Sequence, residues 1–108
     1  MITIDDFAKI EMKVGEILSV ETIPESDKLL KLTVDFGEET SRQVLSGISK
    51  YYENPQLLIS KRYAFVTNLA PRMMMGLESH AMILASSHED TLSLFEVDSN
   101  IPVGTKVK

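Results

Sequence analysis

His80 and His88 are the only imidazoles in the chain, eight residues apart, and there is no cysteine to complete a metal set. Zinc-type sites draw on Cys, His and carboxylate ligands at short, regular spacing, so no metal site is expected and His80 reads as an ordinary strand residue. The acidic pairs Asp5-Asp6, Glu38-Glu39 and Glu89-Asp90 fall at a helix start and in turns, where solvation and the helix dipole account for them. No nucleophile elbow, phosphate loop or dinucleotide glycine pattern is present. Catalysis needs a nucleophile, a base and an orienting group together, so these residue types point away from an enzyme and call for no cofactor.

Four segments carry polar or cationic residues at the ends of apolar runs. Ser26-Asp27-Lys28-Leu29-Leu30 puts a lysine at the entrance to a strand, and Ser46-Gly47-Ile48 ends another with a small polar residue and a glycine. Asn68-Leu69-Ala70-Pro71-Arg72 joins an amide, a rigid turn and a cation, and Met75-Gly76 leads into Ser79-His80-Ala81-Met82. Taken singly, each has a structural reading: turn residues, a glycine supplying φ freedom, a methionine filling core. Taken for their chemistry, Lys28, Arg42, Lys50 and Arg72 can neutralise phosphates. Asn68 and Ser79 can donate and accept hydrogen bonds, as ribose hydroxyls require, and Met82 offers a flexible, polarisable surface.

These residues must be held by short strands. Leu30, Leu32, Val34 and Phe36 alternate with Lys31, Thr33 and Asp35, a period-2 pattern, and Gly37-Glu38-Glu39 then reads as a turn. Met12, Val14, Leu18 and Val20 are expected on one face, with a bulge around Gly15 and Ile17. Residues 42–48, 62–69, 79–85 and 91–97 supply further β segments. Thr3 with Asp6 suggests a helix cap, and Ile2 with Phe7 a hydrophobic staple. Asn54-Pro55 suggests an N-cap and a first-turn proline opening a short helix over 55–60. Leu30, Leu32, Val34, Phe65, Ile83 and Leu84 are expected in the core. Met73, Met74 and Met75 cannot all point inward from one strand, so at least one should cover a neighbour or a partner.

A length of 108 residues fits one domain, 1–108. The absence of cysteine suits a reducing compartment, and no apolar run approaches the roughly 20 residues of a membrane span. With no signal-peptide pattern at the N-terminus, the expected location is the cytoplasm and no membrane partner is expected. The net charge is −5, but it is unevenly spread. Residues 1–41 hold ten acids and four bases, residues 42–76 five bases and one acid, and residues 77–108 five acids and two bases. A basic middle between acidic flanks can give an acidic protein one positive face.

In order, the strand from Lys28 to Gly37, Ser46-Gly47-Ile48 with Lys50-Tyr51-Tyr52, Asn54–Ile59, Asn68–Arg72, Met75-Gly76 and Ser79-x-x-Met82 resemble one known domain. It is the tRNA-binding domain found at the C-terminus of many methionyl-tRNA synthetases, also seen as a stand-alone structure-specific tRNA-binding protein and in the tRNA-binding cytokine-like proteins of eukaryotes. The resemblance runs from about Phe7 to Lys108. It implies an all-β, five-stranded OB-fold barrel with short peripheral helices, a homodimer, and non-catalytic recognition of tRNA shape. The synthetase's catalytic chain is implied as a further partner.

Carried over by position, the resemblance implies RNA contacts at Lys28, Asn68, Arg72, Ser79 and Met82; Arg42 and Lys50 are added from charge alone. Met73 stands where the family often has a basic residue, and Ala81 where bacterial members usually have glycine, so the basic patch is thinner here. A competing reading on the same fold is a dimeric peptide-binding protein resembling an export chaperone, with Met73–Met75 and Met82 as an adaptable apolar surface. Nonspecific single-strand binding is disfavoured, because three Tyr, four Phe and no Trp leave few stacking platforms.

Overall fold

The strand with the strictest alternation lies at the heart of the molecule. In the computed structural model, which describes residues 1–108, β2 (Leu30–Asp35) buries Leu30, Leu32 and Val34 completely while Lys31, Thr33 and Asp35 stay half-exposed. It pairs antiparallel with β1 (Met12–Thr22) on one side and β3 (Arg42–Ser46) on the other. The far side of β1 pairs with β4 (Arg62–Val66). Two hairpins stand apart from this sheet, β5 (Arg72–Met74) with β6 (Leu77–Ser79) and β8 (Ala85–His88) with β9 (Thr91–Leu94). The two-residue strands β7 (Met82–Ile83) and β10 (Glu96–Val97) both pair with β4. The main path runs β10-β4-β1-β2-β3, and the protein is mostly β.

Helix is confined to α1 (Ile4–Phe7) and two 3-10 turns, Ser49–Tyr51 and Pro55–Leu58. The Thr3 cap forms reciprocally: the Asp6 N–H donates to Thr3 Oγ1 and the Thr3 N–H to Asp6 Oδ2, both at 3.2 Å. Ile2 is left 69% exposed, so the expected staple buries little. Pro55 opens its turn as expected, but the Asn54 side chain caps nothing; the turn is 3-10 and short enough to do without.

The bulge in β1 falls at Leu18, not near Gly15. Ile17 pairs with Val34 and Ser19 with Thr33, leaving Leu18 unpaired. The extra residue resets the phase, so Ile17 and Val20 both reach the core while Leu18 is 45% exposed. Gly15 keeps regular pairing with Tyr63 and is small for another reason. A Cβ there would lie 2.6 Å from both Phe36 and Val34 side chains, which would push away the Phe36 ring. That ring packs edge-on against Phe65 with centroids 5.1 Å apart.

Phe65 and Ile83 are buried as expected, but Leu84 is only half-buried. Neighbouring strand residues face opposite ways, and Ile83 already occupies the inward position. The expected strand over 79–85 breaks into pieces of β6, β7 and β8 because the chain turns a corner at His80 and Ala81 to cross from the β5–β6 hairpin to β4. The expected strand over 91–97 likewise divides at Phe95, whose carbonyl accepts from Ala64 N–H at 3.1 Å. The C-terminal segment folds back on β1: Gly104 N–H donates to Val14 O (2.8 Å), Val14 N–H to Thr105 O (2.9 Å) and Val107 N–H to Met12 O (2.9 Å).

The three methionines are sorted by the β5–β6 turn. Met74 pairs with Leu77, leaving Met75 (φ 51°) and Gly76 (φ 78°) as a two-residue connection with both residues left-handed. That geometry favours Asn-Gly, and a methionine pays a steric penalty in it of about 1–2 kcal/mol. Met75→Asn is therefore expected to stabilise the protein by about 0.5 kcal/mol, read as a higher urea midpoint at unchanged m-value. An unchanged or lower midpoint would mean the turn is not strained.

Candidate nucleic-acid interface

Alternation along the β5–β6 hairpin builds a cleft. Arg72 pairs with Ser79 and Met74 with Leu77, while the intervening pair is Met73 with Glu78. Arg72, Met74 and Ser79 thus share one face, and Met73, 61% exposed, points the other way. The shared face, with Leu45 of β3, Leu69 and Ala70 of the β4–β5 link, and Ala81 and Met82 beyond the corner, encloses about 100 Å³. Arg72 is exposed and forms no ion pair with any carboxylate. Met82 is 46% exposed, so it is surface rather than core.

Ser79 lies in this cleft but is already engaged. It is 5% exposed; its hydroxyl accepts from Leu45 N–H at 3.0 Å and donates to Ala81 O at 3.1 Å. This fastens the corner to β3, so Ser79 positions the cleft wall and has no hydroxyl proton free for a ribose. Asn68 is also a fastener. Its Oδ1 accepts from Glu11 N–H and its Nδ2 donates to Lys9 O, both at 2.8 Å, tying the segment after α1 to the end of β4. It remains exposed, with one amide N–H unused.

Arg42, expected as a phosphate contact, is turned inward. Its Nε and Nη2 donate to the two Glu38 carboxylate oxygens (2.8 and 2.6 Å), and Nη1 donates to Thr67 O (2.7 Å) and His80 O (3.1 Å). The guanidinium also lies 5.3 Å from the Phe36 ring centroid. Four of the five N–H groups of an arginine are thereby occupied, which removes Arg42 from the set of free cations. Arg62, in the same basic stretch, pairs with Glu16 at 3.0 Å. The block over 42–76 therefore exposes less positive charge than its composition suggests, because acids outside it answer two of its five bases.

Lys28 and Lys50 form a second group at the C-terminal end of β3. Ser26 Oγ accepts from the Lys28 and Leu29 N–H groups (3.2 and 3.1 Å), and Ser49 N–H donates to Lys28 O (3.0 Å). Both lysine side chains are exposed and without a carboxylate partner, and Lys50 Nζ sits 5.4 Å from the Tyr51 centroid. The structure thus gathers Arg72, Ser79 and Met82 into one cleft, joins the segment of Lys28 before β2 to the 3-10 turn of Lys50 after β3, and leaves Arg42 and Asn68 as braces. Leu45, Leu69, Ala70 and Ala81 line the cleft without having been expected as contacts, and Met74 was expected only within the apolar Met73–Met75 surface of the competing peptide-binding reading. The signal that places Met74 in the cleft, and not Met73, is its two-residue offset from Arg72.

Residues 12–106 match the family model described as "Putative tRNA binding domain". The chain is 50% identical over 107 residues to methionine–tRNA ligase 1 of Bacillus anthracis, a match covering 99% of this chain and 16% of that protein. It is 44% identical over 106 residues to the methionine–tRNA ligase of Thermotoga maritima, covering 98% and 16%. The chain thus spans about 16% of the length of the curated relatives it matches. Among solved structures it superposes on a MetRS related protein from Pyrococcus horikoshii with TM-score 0.92 at 38% identity, covering 100% of this chain and 98% of that one. The chaperone CsaA of Bacillus anthracis superposes with TM-score 0.86 at 28% identity, covering 100% and 99%.

Two stability effects follow from these bonds. Ser79→Ala strands the buried Leu45 N–H and should cost about 1–3 kcal/mol, measured by denaturant unfolding; a cost near zero would show that the corner is held by other means. The second is a pH effect. The hydrogen bond from Arg42 holds the Glu38 carboxyl below its ordinary 4.5, and the hydrogen bond from Thr67 does the same for Glu11. A carboxylate with a lowered folded-state pKa stabilises fully above its unfolded value and loses that contribution as pH falls through the folded one. Thermal stability should hold from neutral pH to about 5 and fall below about 4.5, with a shallower fall in Glu38→Gln. An equally steep fall in that variant would remove the Arg42–Glu38 pair as its source.

Proposed function

The chain belongs to the tRNA-binding domain family, and from that premise we propose that it holds tRNA, without catalysis, through Lys28, Lys50, Arg72 and Met82. The observation that carries the residue assignment is Arg72, an exposed guanidinium without a carboxylate partner at the rim of an apolar cleft. Lys28 and Lys50 add two more uncommitted cations. Such charges bind phosphates with little regard to sequence, which suits recognition of tRNA by shape. Asn68 contributes its remaining amide N–H. Ser79 and Arg42 act behind the surface by fixing the walls.

The same proposal takes the sheet as a five-stranded OB-type barrel. Its support is the meeting of β3 with the chain entering β7: His80 N–H donates to Gln43 O and Gln43 Nε2 to Glu78 O, each at 2.9 Å. A homodimer fits the uncovered apolar side chains Ile4, Phe7 and Ile10 around α1 and Met73 on the outer face of β5. Since the matched ligases are about six times longer, with 16% of their length covered, the proposal includes service to a methionyl-tRNA synthetase catalytic chain, covalently or in trans. Cytoplasmic residence goes with that role; no helix is long and apolar enough to cross a membrane. Peptide binding is the second reading, favoured by the likeness to a chaperone and by the apolar cleft.

The two readings differ in salt dependence. With about three phosphates neutralised by Lys28, Lys50 and Arg72, log affinity for total tRNA should fall against log salt with a slope of about −2 to −3. Arg72→Ala and Lys28→Ala should each cost about 1 kcal/mol and flatten the slope by about one. Met82→Ala should weaken binding at unchanged slope and leave thermal stability within about 0.5 kcal/mol, as for a surface residue. Unchanged tRNA affinity in a folded Arg72→Ala protein would overturn the assignment.

A further inference from the structure

The cleft beside Arg72 has a character that phosphate binding alone does not require. Six of its eight lining residues are apolar, among them Leu69, Met74 and Met82, and none is acidic. Its polar members are Arg72 and Ser79, and the Ser79 hydroxyl is already bonded to Leu45 and Ala81. A surface that only met duplex backbone would need cations and hydrogen-bonding groups, and an apolar floor would serve no purpose. The room, about 100 Å³, is also small. It falls below the roughly 300 Å³ of a drug-sized pocket.

We infer that this cleft receives one unstacked base of tRNA, lying against Leu69, Met74 and Met82, with Arg72 on the adjoining phosphate. The inference rests on the tRNA-binding reading and specifies which chemical part of the RNA enters the site. Charge complementarity selects this occupant. An apolar peptide side chain would fill the same floor but leave the rim guanidinium without an anion, whereas a nucleotide brings ring and phosphate together. Methionine sulfur makes favourable contacts with aromatic rings, and two thioethers line the cleft. Because the Ser79 hydroxyl is occupied and the other lining side chains except Arg72 are apolar, the cleft has little means to select among the four bases. The base must come from a loop or an unpaired end, since a base within a duplex has both faces stacked on its neighbours.

The test uses the whole chain labelled with 13C at the methionine methyls, the Met74 and Met82 signals being assigned by single Met→Leu substitutions. On saturation with total tRNA, both methyls should move upfield through the ring current of a base, while Met1 should not. Ala70→Phe, which places a ring of this chain's own in the cleft, should weaken tRNA binding at least tenfold at unchanged salt slope, with folding checked from the remaining methyl signals. If tRNA binds and the two methyls stay still, the base-binding cleft is overturned and the tRNA-binding reading stands. If total tRNA does not bind at all, both fall. If an apolar peptide moves the two methyls and tRNA fails to displace it, the cleft belongs to peptide and the inference is overturned.

Discussion

The guanidinium of Arg42 is the point from which the rest of the surface is hung. It gives two hydrogen bonds to Glu38 and one each to the carbonyls of Thr67 and His80. Those four acceptors belong to the turn after β2, the end of β4 and the corner before β7. Beneath it lies Phe36, whose ring packs on Phe65 and reaches there only because Gly15 has no Cβ. A planar fork of fixed donors is suited to this task in a way lysine is not. Two of its acceptors are backbone carbonyls that would otherwise need other partners. The cleft that begins two residues beyond Thr67 thereby takes its position from the core.

What the sequence disclosed and what it withheld divide along a physical line. The phase of a strand is visible in its residues, so β2 and its buried Leu30, Leu32 and Val34 were legible. A bulge changes phase without any marker in residue type, and Leu18 and Ile17 exchanged places for that reason. Turn chemistry was legible at Gly37 and Pro55, whereas the left-handed Met75 was not, since methionine gives no hint of it. At the site, residue type declared capacity but not availability. Arg42, Ser79 and Asn68 can all bind RNA, yet besides the nearby Glu38 and Ala81 their partners lie 25 to 59 residues away along the chain. Arg72 and Lys28 lack any carboxylate partner, whereas Arg42 has Glu38 four residues before it and two distant carbonyls that only the fold brings to it.

Under the proposed function an acidic chain meets a polyanion, and its electrostatics must be solved locally. Five of its sixteen acids are matched by its own lysines and arginines: Asp6 with Lys9, Glu11 with Lys13, Glu21 with Lys31, Glu16 with Arg62, Glu38 with Arg42. These pairs leave a few cations uncommitted instead of spreading charge over the whole surface. At distances beyond a Debye length of about 8 Å in physiological salt, the net negative charge gives little steering and slows encounter rather than speeding it. Selectivity for a folded RNA then depends on close fit, where an apolar cleft and a few fixed cations count for more than total charge.

The return of the C-terminal segment onto β1 has a mechanical consequence. Met12 opens the first strand and receives a hydrogen bond from Val107, while Val14 is bonded to residues 104 and 105. The two segments run antiparallel, with the chain's outermost residues at the same end of the ladder. Tension applied through the two termini, as when a tether joins a module to a moving neighbour, therefore loads these bonds one after another instead of in parallel. The junction opens like a zipper, at low force, and the tail peels away while the sheet of β1 to β4 stays intact.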